Sequence, residues 1–239
     1  MSATKCSISG TNDPVLCTAG KGKHCTLLVH FYHFQAHGLL NSCLIRCDEE
    51  DKQTTLQLKI FKLEKSWYNG NHPLQTPEAL QELTTSLKTR LSNIRAECKR
   101  RFEAVGGTIS EFDVQDVFSE HNKQQMQSFA AQVNVESQLC TEFMIGFAKL
   151  VCETSESIVG RPNDSYAAVA LGSIARNEAT PFSDLEYAFV VGSTSEKSLF
   201  RQLAVDTYFR ISNLGETPLK YLYIEELYDN YGREGEKRW

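Results

Sequence analysis

Two short apolar runs in the C-terminal third of the chain constrain its fold most. The first, YAAVALG, spans 166–172 and ends at a glycine, and the second, SDLEYAFVV, spans 183–191. Short apolar runs bounded by glycine and polar residues are typical of β-strands. A capping box at Ser193 and Glu196 then predicts a helix that ends near Gly215. Strand, turn, helix, strand and helix is the order of an α/β fold.

Two long helices are predicted upstream of these strands. Thr76 suits the N-cap of the first helix, Pro77 its first position, and Gly106 with Gly107 its end. Its apolar residues recur at spacings of three or four and form one stripe: Leu80, Leu83, Leu87, Leu91, Ile94, Cys98 and Phe102. The second helix is predicted over about 114–158, with a stripe of Met126, Phe129, Val133, Cys140, Phe143, Phe147 and Leu150. An exposed remainder of the first stripe would support self-association.

Residues 1–75 predict a flexible lead-in followed by a small antiparallel β region. Residues 1–22 are small and polar, as mobile termini are. Three runs rich in β-forming residues follow, at 26–34, 42–47 and 54–63. In the last run Leu56, Leu58 and Ile60 alternate with polar residues, which is the period of a half-buried strand. The acidic stretch DEEDK between the last two runs suits a hairpin loop.

Composition and charge narrow the classes of function. With 239 residues, 41% of them hydrophobic, the chain can bury a core as one large domain or two small ones. A formal net charge of -5 does not favour nucleic acid as a partner. The chain has no run of about 18 apolar residues, so no membrane partner is expected. Its N-terminus lacks a signal-peptide stretch and its 8 cysteines are scattered, so we expect a cytoplasmic protein with reduced thiols.

The connection between the two strands has the features of a phosphate site. Gly172 lets the backbone pass close to a ligand, and residues 174–178 can begin a helix whose free N–H groups face an anion. The Ser173 hydroxyl adds a donor, and the forked guanidinium of Arg176 suits a phosphate group. A plain surface pair between Arg176 and Glu178 is the alternative for these two residues.

Asp184 and Glu186 form an acidic pair that follows Ser173 after ten intervening residues. Because strand side chains alternate between faces, both acids point the same way while Leu185 points into the core. Two carboxylates on one face repel each other without a cation, and hard oxygen ligands suit Mg²⁺ together with substrate phosphates. We therefore predict Asp184 and Glu186 as catalytic, metal-binding residues for Mg²⁺ or Mn²⁺ in phosphoryl or nucleotidyl transfer. The alternative is a solvated strand face.

The segment GSIARNEATPFSDLE resembles the DNA polymerase beta-like nucleotidyltransferase superfamily, which has glycine-serine, a gap, and an acidic-apolar-acidic triplet. Within that superfamily it is similar to the N-terminal domain of protein-PII uridylyltransferases. The positions that carry the resemblance are Gly172, Ser173, Ala175, Arg176, Glu178, Ser183 and Asp184. LGETPL at 214–219 is similar to the same group. The resemblance covers 166–219, and the family more often has Asp where this chain has Glu186.

The resemblance implies a transferase that moves a nucleotide from a nucleoside triphosphate to a hydroxyl of a protein or small molecule and releases pyrophosphate. Gly172 and Ser173 would hold the outer phosphates, and Asp184 and Glu186 would hold two Mg²⁺ ions. The superfamily adds a third carboxylate on a later strand. The downstream candidates, none of which matches a motif, are Glu216, Glu225, Glu226 and Asp229.

These inferences predict a mixed α+β fold with three regions. Residues 1–75 form the lead-in and small β region, and residues 76–160 form the helical region. Residues 161–239 form a nucleotidyltransferase-type sheet with helices. The sheet of the family that this segment resembles is expected to continue beyond the position of Trp239, so we expect a core truncated at its C-terminus.

Other interpretations of the sequence stay open beside this one. Because no third carboxylate matches a motif, a catalytically inactive regulatory or scaffolding module with the same fold is the main alternative. The basic run at 99–101 would suit nucleic acid, although its position near a helix end suits the helix dipole better. A zinc site is not favoured, because the spacings of the candidate ligands match no standard zinc motif. These candidates are His30, His33, His37, Cys25, Cys43 and Cys47.

Overall fold

The computed structural model describes residues 36–68, 70, 72–107, 119–192 and 195–216. All of them fall in one unit, Ala36–Leu222. The described helices and strands are α1 (36–45), α2 (Glu50–Trp67), α3 (Pro77–Gly106), α4 (Glu120–Val159), β1 (Tyr166–Ala170), α5 (Gly172–Ala175), β2 (Tyr187–Val191) and α6 (Lys197–Asn213). The described part is therefore mostly helical with a two-stranded sheet, an arrangement compatible with a mixed α/β fold. None of its helices has the length and apolarity that a membrane crossing requires.

The first long helix, α3, begins and ends as the sequence predicts. The Thr76 side chain accepts a hydrogen bond from the backbone N–H of Ala79 at 3.2 Å, and Pro77 takes the first helical position. The backbone N–H of Gly107 closes the other end by donating to the carbonyl of Glu103 at 3.0 Å. These contacts satisfy backbone groups that have no partner inside the helix.

The second long helix, α4, has 40 residues and begins at Glu120. Ser119 caps its start by accepting from the backbone N–H of Asn122 at 3.2 Å. Gly160, with a φ of 99°, ends it. The predicted start near residue 114 lies outside the described residues.

Helices α3 and α4 pack along their apolar stripes and form the main core. Its buried residues from the two helices are Leu87, Leu91, Cys98, Cys140, Met144, Phe147 and Val151. The same core includes Ile174, Ala179, Leu185 and Leu214, which come from the segments around the two strands and the end of α6. Burial of each large apolar side chain stabilises the fold by roughly 1.5–3 kcal/mol. The helices therefore form the platform on which the C-terminal segments are fixed.

The strands predicted at 42–47 and 54–63 are wrong, because α1 covers most of the first and α2 contains all of the second. The buried residues of α2 are Ile60, Phe61 and Glu64, which share one helical face. The acidic stretch DEEDK does not form a hairpin loop. Its Glu50 and Asp51 lie in the first turn of α2, where acidic side chains interact favourably with the helix dipole. The run at 26–34 lies outside the described residues.

Strands β1 and β2 pair in antiparallel register, with Tyr166 opposite Val191 and Ala170 opposite Tyr187. The two predicted strands therefore exist, although the second begins only at Tyr187. The predicted capping box would begin the helix at residue 194, but α6 begins at Lys197 with Glu196 at its N-cap position. Ser193 itself lies outside the described residues.

Glu196 has a different role, which fixes the connection between α4 and β1. Its carboxylate accepts hydrogen bonds from the backbone N–H groups of Asn163 at 2.7 Å and Asp164 at 2.8 Å. The side-chain amide of Asn163 donates to the same carboxylate at 2.9 Å. These bonds join the start of α6 to the loop that precedes β1.

A buried polar network joins α6 to the N-terminal helices through Glu64. The Glu64 carboxylate lies 3.0 Å from His37 Nε2 and 3.2 Å from His72 Nε2. Because an ionised carboxylate only accepts hydrogen bonds, each histidine donates to it from a protonated Nε2. The carboxylate also accepts from Arg210 Nη2 at 2.5 Å and Asn213 Nδ2 at 2.7 Å. Four donors therefore compensate for the cost of burying one charge.

The network changes the acidity of Glu64. Burial by itself raises the pKa of a carboxyl group, since it disfavours the charged form. The charge of Arg210 and the hydrogen bonds from His37 and His72 outweigh burial and hold the pKa of Glu64 well below its usual range. The carboxylate therefore stays ionised and paired at neutral pH.

We expect Glu64→Gln to lower the free energy of unfolding by about 3–5 kcal/mol, because it removes the nearer of the two buried carboxylates that pair with Arg210 and leaves only Asp206 at 3.3 Å. Urea unfolding measures the loss. Glu49→Gln is the matched control, since Glu49 lies beside the same helix in an exposed pair with Lys52. That control is expected to change stability by about 1 kcal/mol or less. Equal losses in the two variants would contradict a stabilising network.

The stability difference between wild type and Glu64→Gln is expected to depend on pH. Because the folded pKa of Glu64 is depressed, its contribution is complete above the unfolded value of about 4.3 and disappears as pH falls through the folded value. The difference between wild type and Glu64→Gln is therefore expected to be constant near neutral pH and to shrink in acid. A difference that grew in acid would be inconsistent with a depressed pKa.

Candidate active site

The connection after β1 is a single helical turn, α5, which is held at both ends. The backbone N–H of Leu171 donates to the carbonyl of Glu186 at 2.9 Å, and that of Glu178 donates to the carbonyl of Ser173 at 2.9 Å. Between them Ile174 is buried in the main core. The predicted helix at 174–178 is therefore wrong, because α5 ends at Ala175. A turn of this length has little dipole to offer an anion.

Gly172 is in direct contact with one of the two predicted metal carboxylates. Its φ is 60°, in the left-handed region that glycine adopts without strain. A Cβ built on Gly172 would lie 1.8 Å from Glu186 Oε2, far inside the contact distance. Only a residue without a side chain therefore lets this carboxylate occupy its position against the turn.

The acidic pair lies just before β2. Leu185 is buried in the main core, whereas Asp184 is exposed and Glu186 is half-buried. The bond between Leu171 and the Glu186 carbonyl continues the pairing of the strands by one step. Burial of the middle residue thus keeps both acids out of the core. They do not lie on a strand as predicted, since β2 begins only at Tyr187.

The hydroxyl of Ser183 connects the predicted phosphate turn to the acidic pair. Ser173 Oγ donates to Ser183 Oγ at 3.0 Å, and the backbone N–H of Thr180 donates to Ser183 Oγ at 2.9 Å. Ser183 directly precedes Asp184, so this contact fixes the distance between Ser173 and the acids. The sequence analysis names Ser183 only among the residues that carry the family resemblance. It does not predict the hydrogen bond between Ser183 and Ser173.

Ser183 is also the last residue of a tight turn that begins at Thr180. Its backbone N–H donates to the Thr180 carbonyl at 3.1 Å, and Pro181 takes the second position, where its fixed φ suits a turn. The preceding residue, Ala179, is fully buried and donates its N–H to Thr141 Oγ1 of α4 at 3.2 Å. Phe182 projects from this anchored turn with 79% of its surface exposed.

An arginine from α3 brings Glu216 to the site. Arg95 Nη2 donates to the carbonyl of Ser183 at 3.2 Å and to Glu216 Oε2 at 2.8 Å. Burial raises the pKa of Glu216 above its usual range and the Asp184 charge adds to the rise, although Arg95 opposes both. Arg95 therefore links Glu216 to the backbone of Ser183, the residue before Asp184.

Sequence reasoning missed Arg95, because its partner lies 121 positions away and no local pattern distinguishes it from other helix cations. The remaining carboxylate candidates Glu225, Glu226 and Asp229 lie outside the described residues. Arg176 pairs with Glu178, to whose Oε2 its Nε donates at 2.8 Å, and both side chains are mostly exposed. Its role at a phosphate stays a prediction.

Within the described ranges no set of three or more His, Cys, Asp or Glu side chains is arranged to hold a metal ion. Asp184 and Glu186 still fit the needs of Mg²⁺, which takes one or two carboxylates and completes its shell with phosphate oxygens and water. The role of the two acids as metal ligands stays a prediction.

Residues 117–218 match one family model, described as Putative nucleotidyltransferase DUF294. The matched segment contains α4, both strands, α5 and α6, and with them every site residue described above except Arg95. The carboxylate candidates Glu225, Glu226 and Asp229 lie beyond it. It supports a nucleotidyltransferase-like family for this segment and nucleotidyl transfer as the general class of activity. No curated protein and no solved structure gives a match.

The contact between Gly172 and Glu186 predicts a coupling between substitutions at the two positions. Gly172→Ala introduces strain of about 1–2 kcal/mol at a positive φ, and its new methyl group also displaces the Glu186 carboxylate. We expect the substitution to cost at least about 0.5 kcal/mol more in wild type than in a Glu186→Ala background. Denaturant unfolding of the four proteins in the cycle measures this difference.

Gly160→Ala provides the control cycle, since Gly160 also has a positive φ but its new methyl group would have no described atom within 4 Å. Its cost is expected to be the same with and without Glu186. Coupling of equal size in both cycles would mean that the effect is general and not due to this contact.

Proposed function

We propose that this chain is a metal-dependent nucleotidyltransferase that moves a nucleotide from a nucleoside triphosphate to a hydroxyl of a protein or small molecule. The observation that carries the proposal is the contact of the Glu186 carboxylate with Gly172, beside the Ser173 hydroxyl. This contact brings the predicted metal ligand and the predicted phosphate turn together. The family match of the same segment gives independent support.

The reaction requires few groups from the protein. The acceptor oxygen bonds to the α-phosphorus, the bond between the α- and β-phosphates breaks, and pyrophosphate leaves with the electron pair. Gly172 and Ser173 would bind the outer phosphates, and Arg176 would add a cation once it leaves Glu178. Asp184 and Glu186 would hold Mg²⁺ or Mn²⁺, which neutralises charge that develops on the phosphates.

Glu216 is the carboxylate that we assign to the third position. It is buried, and Asp184 disfavours its ionised form. A cation between the acids would remove that repulsion and favour ionised Glu216. As a carboxylate near the acceptor, Glu216 would take the proton of the attacking hydroxyl.

Finer assignments come from the sequence resemblance. GSIARNEATPFSDLE supports the DNA polymerase beta-like superfamily with its larger sheet, and the uridylyltransferase-like group within it. We place the protein in the cytoplasm with no membrane partner, and a net charge of -5 argues against a nucleic acid acceptor. Self-association would use the exposed parts of the long helices.

A catalytically inactive regulatory or scaffolding module is the second candidate. The observation that favours it is that two groups the chemistry needs are already paired, Glu216 with Arg95 and Arg176 with Glu178. Such a module would keep the fold, and with it nucleotide binding, while it acted through its helices.

Binding of nucleotide is expected to need both acids of the pair. Asp184→Asn combined with Glu186→Gln should weaken Mg²⁺-dependent binding of ATP and UTP by more than about 100-fold, because even indirect metal partners are worth 10–100-fold. Calorimetry with Mg²⁺ and with EDTA measures this. Glu153→Gln is the control, since Glu153 forms an exposed pair with Lys149 on α4. Unchanged binding by the double variant would refute the metal site.

Glu216→Gln separates the two candidate functions. In an active enzyme it is expected to lower pyrophosphate release from labelled triphosphates by about 10²–10⁴-fold, as loss of a general base does, while nucleotide binding is retained. Glu136→Gln is the matched control, because Glu136 pairs with Arg101 between α3 and α4 at 2.7 Å. No release by wild type with either Mg²⁺ or Mn²⁺ would favour the inactive module.

A further inference from the structure

Phe182 is the most exposed of the large apolar side chains in the described ranges, with 79% of its surface accessible. Single exposed apolar residues are common, so exposure alone decides nothing. Phe182 differs in its position, because it lies two residues before Asp184 and one before Ser183. An exposed aromatic residue is thus adjacent in the chain to groups that we assign to a triphosphate.

The backbone that carries the ring is fixed on both sides. The N–H of Phe182 donates to Thr180 Oγ1 at 3.3 Å, within the turn that the Ser183 N–H closes on the Thr180 carbonyl. Pro181, immediately before the ring, is buried, and Ala179 is tied to α4. Because the turn is anchored, a ligand that packs on the ring does not have to order the loop first.

Phe182 is also linked to the phosphate turn through its neighbour Ser183. Adjacent Cα atoms are about 3.8 Å apart, and Ser183 Oγ is 3.0 Å from Ser173 Oγ. The ring of Phe182 is therefore one residue away from a side chain that touches the predicted phosphate donor. A nucleotide likewise joins a flat base through a sugar to its phosphates.

We propose that Phe182 is the platform on which the base of the bound nucleoside triphosphate stacks. This inference rests on the proposed function, and it names what the site recognises beyond polyphosphate. Because every base has a π-face, stacking adds affinity for nucleosides without selecting a particular base. The site is then one for nucleoside triphosphates as a class, with the choice of base left to other residues.

A protein partner is the other occupant that an exposed ring can attract. The neighbours of Phe182 argue against it, because Thr180 and Asp184 are exposed polar residues and Ser183 is half-buried. A protein interface would need a contiguous apolar patch around the ring. One ring among polar groups is better matched to a single flat ligand that carries its own charge.

The test compares ligands with and without a base. Calorimetry in Mg²⁺ measures binding of ATP, UTP and inorganic tripolyphosphate to wild type, Phe182→Ala and Phe182→Tyr. We expect Phe182→Ala to bind both nucleotides about tenfold more weakly, which lies in the range measured for base–aromatic stacking, and to bind tripolyphosphate as wild type does. Phe182→Tyr retains the ring and is expected to bind all three ligands as wild type does.

Val135→Ala is the control for loss of an exposed apolar side chain, since Val135 lies on α4 and is 53% exposed. It is expected to bind all three ligands normally. Equal weakening of nucleotides and tripolyphosphate by Phe182→Ala would overturn the inference, because the ring would then only support the turn. Unchanged nucleotide binding would overturn stacking while the proposed function stood. Failure of wild type to bind any of the three would overturn both.

Discussion

Burial of one leucine between two acids is the constraint on which the site depends. Leu185 packs into the core that α3 and α4 form, together with Ile174 from the turn after β1. Because Leu185 is held inside, its neighbours Asp184 and Glu186 are kept out of the core, where their charges can be solvated or bind a cation. The apolar packing of the helices therefore determines where the charged groups of the site lie.

The end of α6 shows how packing and charge act together in this protein. Asn213 donates to the buried Glu64, Leu214 enters the main core, and Glu216 pairs with Arg95. Three different interactions thus fix this short stretch of the chain. A carboxylate that follows a helix end would otherwise move with the fraying of that end, and these contacts hold it against Arg95 instead.

The sequence predicted the elements whose signals are local. Helix α3 has a cap, a first-turn proline and a continuous apolar stripe, so its bounds could be stated in advance. Helix α2 was misassigned because one position of its buried face is Glu64, and a charged residue there interrupts the apolar helical pattern. Leu56 and Leu58 alternate with polar residues, which is the pattern of a half-buried strand, although Leu58 is exposed.

The same difference between local and distant signals applies to the site. Glycine, serine and the acidic pair lie within 15 residues of one another and could be identified from their spacing. The roles of Arg95 and Ser183 come from contacts with distant segments, or from the exact path of a turn, and neither is encoded in a short pattern. Glu216 could be named as one carboxylate among four, but only its ion pair with α3 distinguishes it from the others.

The length of α4 has a consequence for how this chain can change. Its 40 residues extend for about 60 Å and contact α3, β1, α5 and α6 along one continuous helix. One inserted residue would rotate everything beyond it by about 100°, so that Thr141 could no longer face Ala179 while the earlier turns still faced α3. Substitutions are tolerable on the exposed side of this helix, but an insertion or deletion within it is not. Insertions and deletions in related chains are therefore expected to fall in the loops at its two ends.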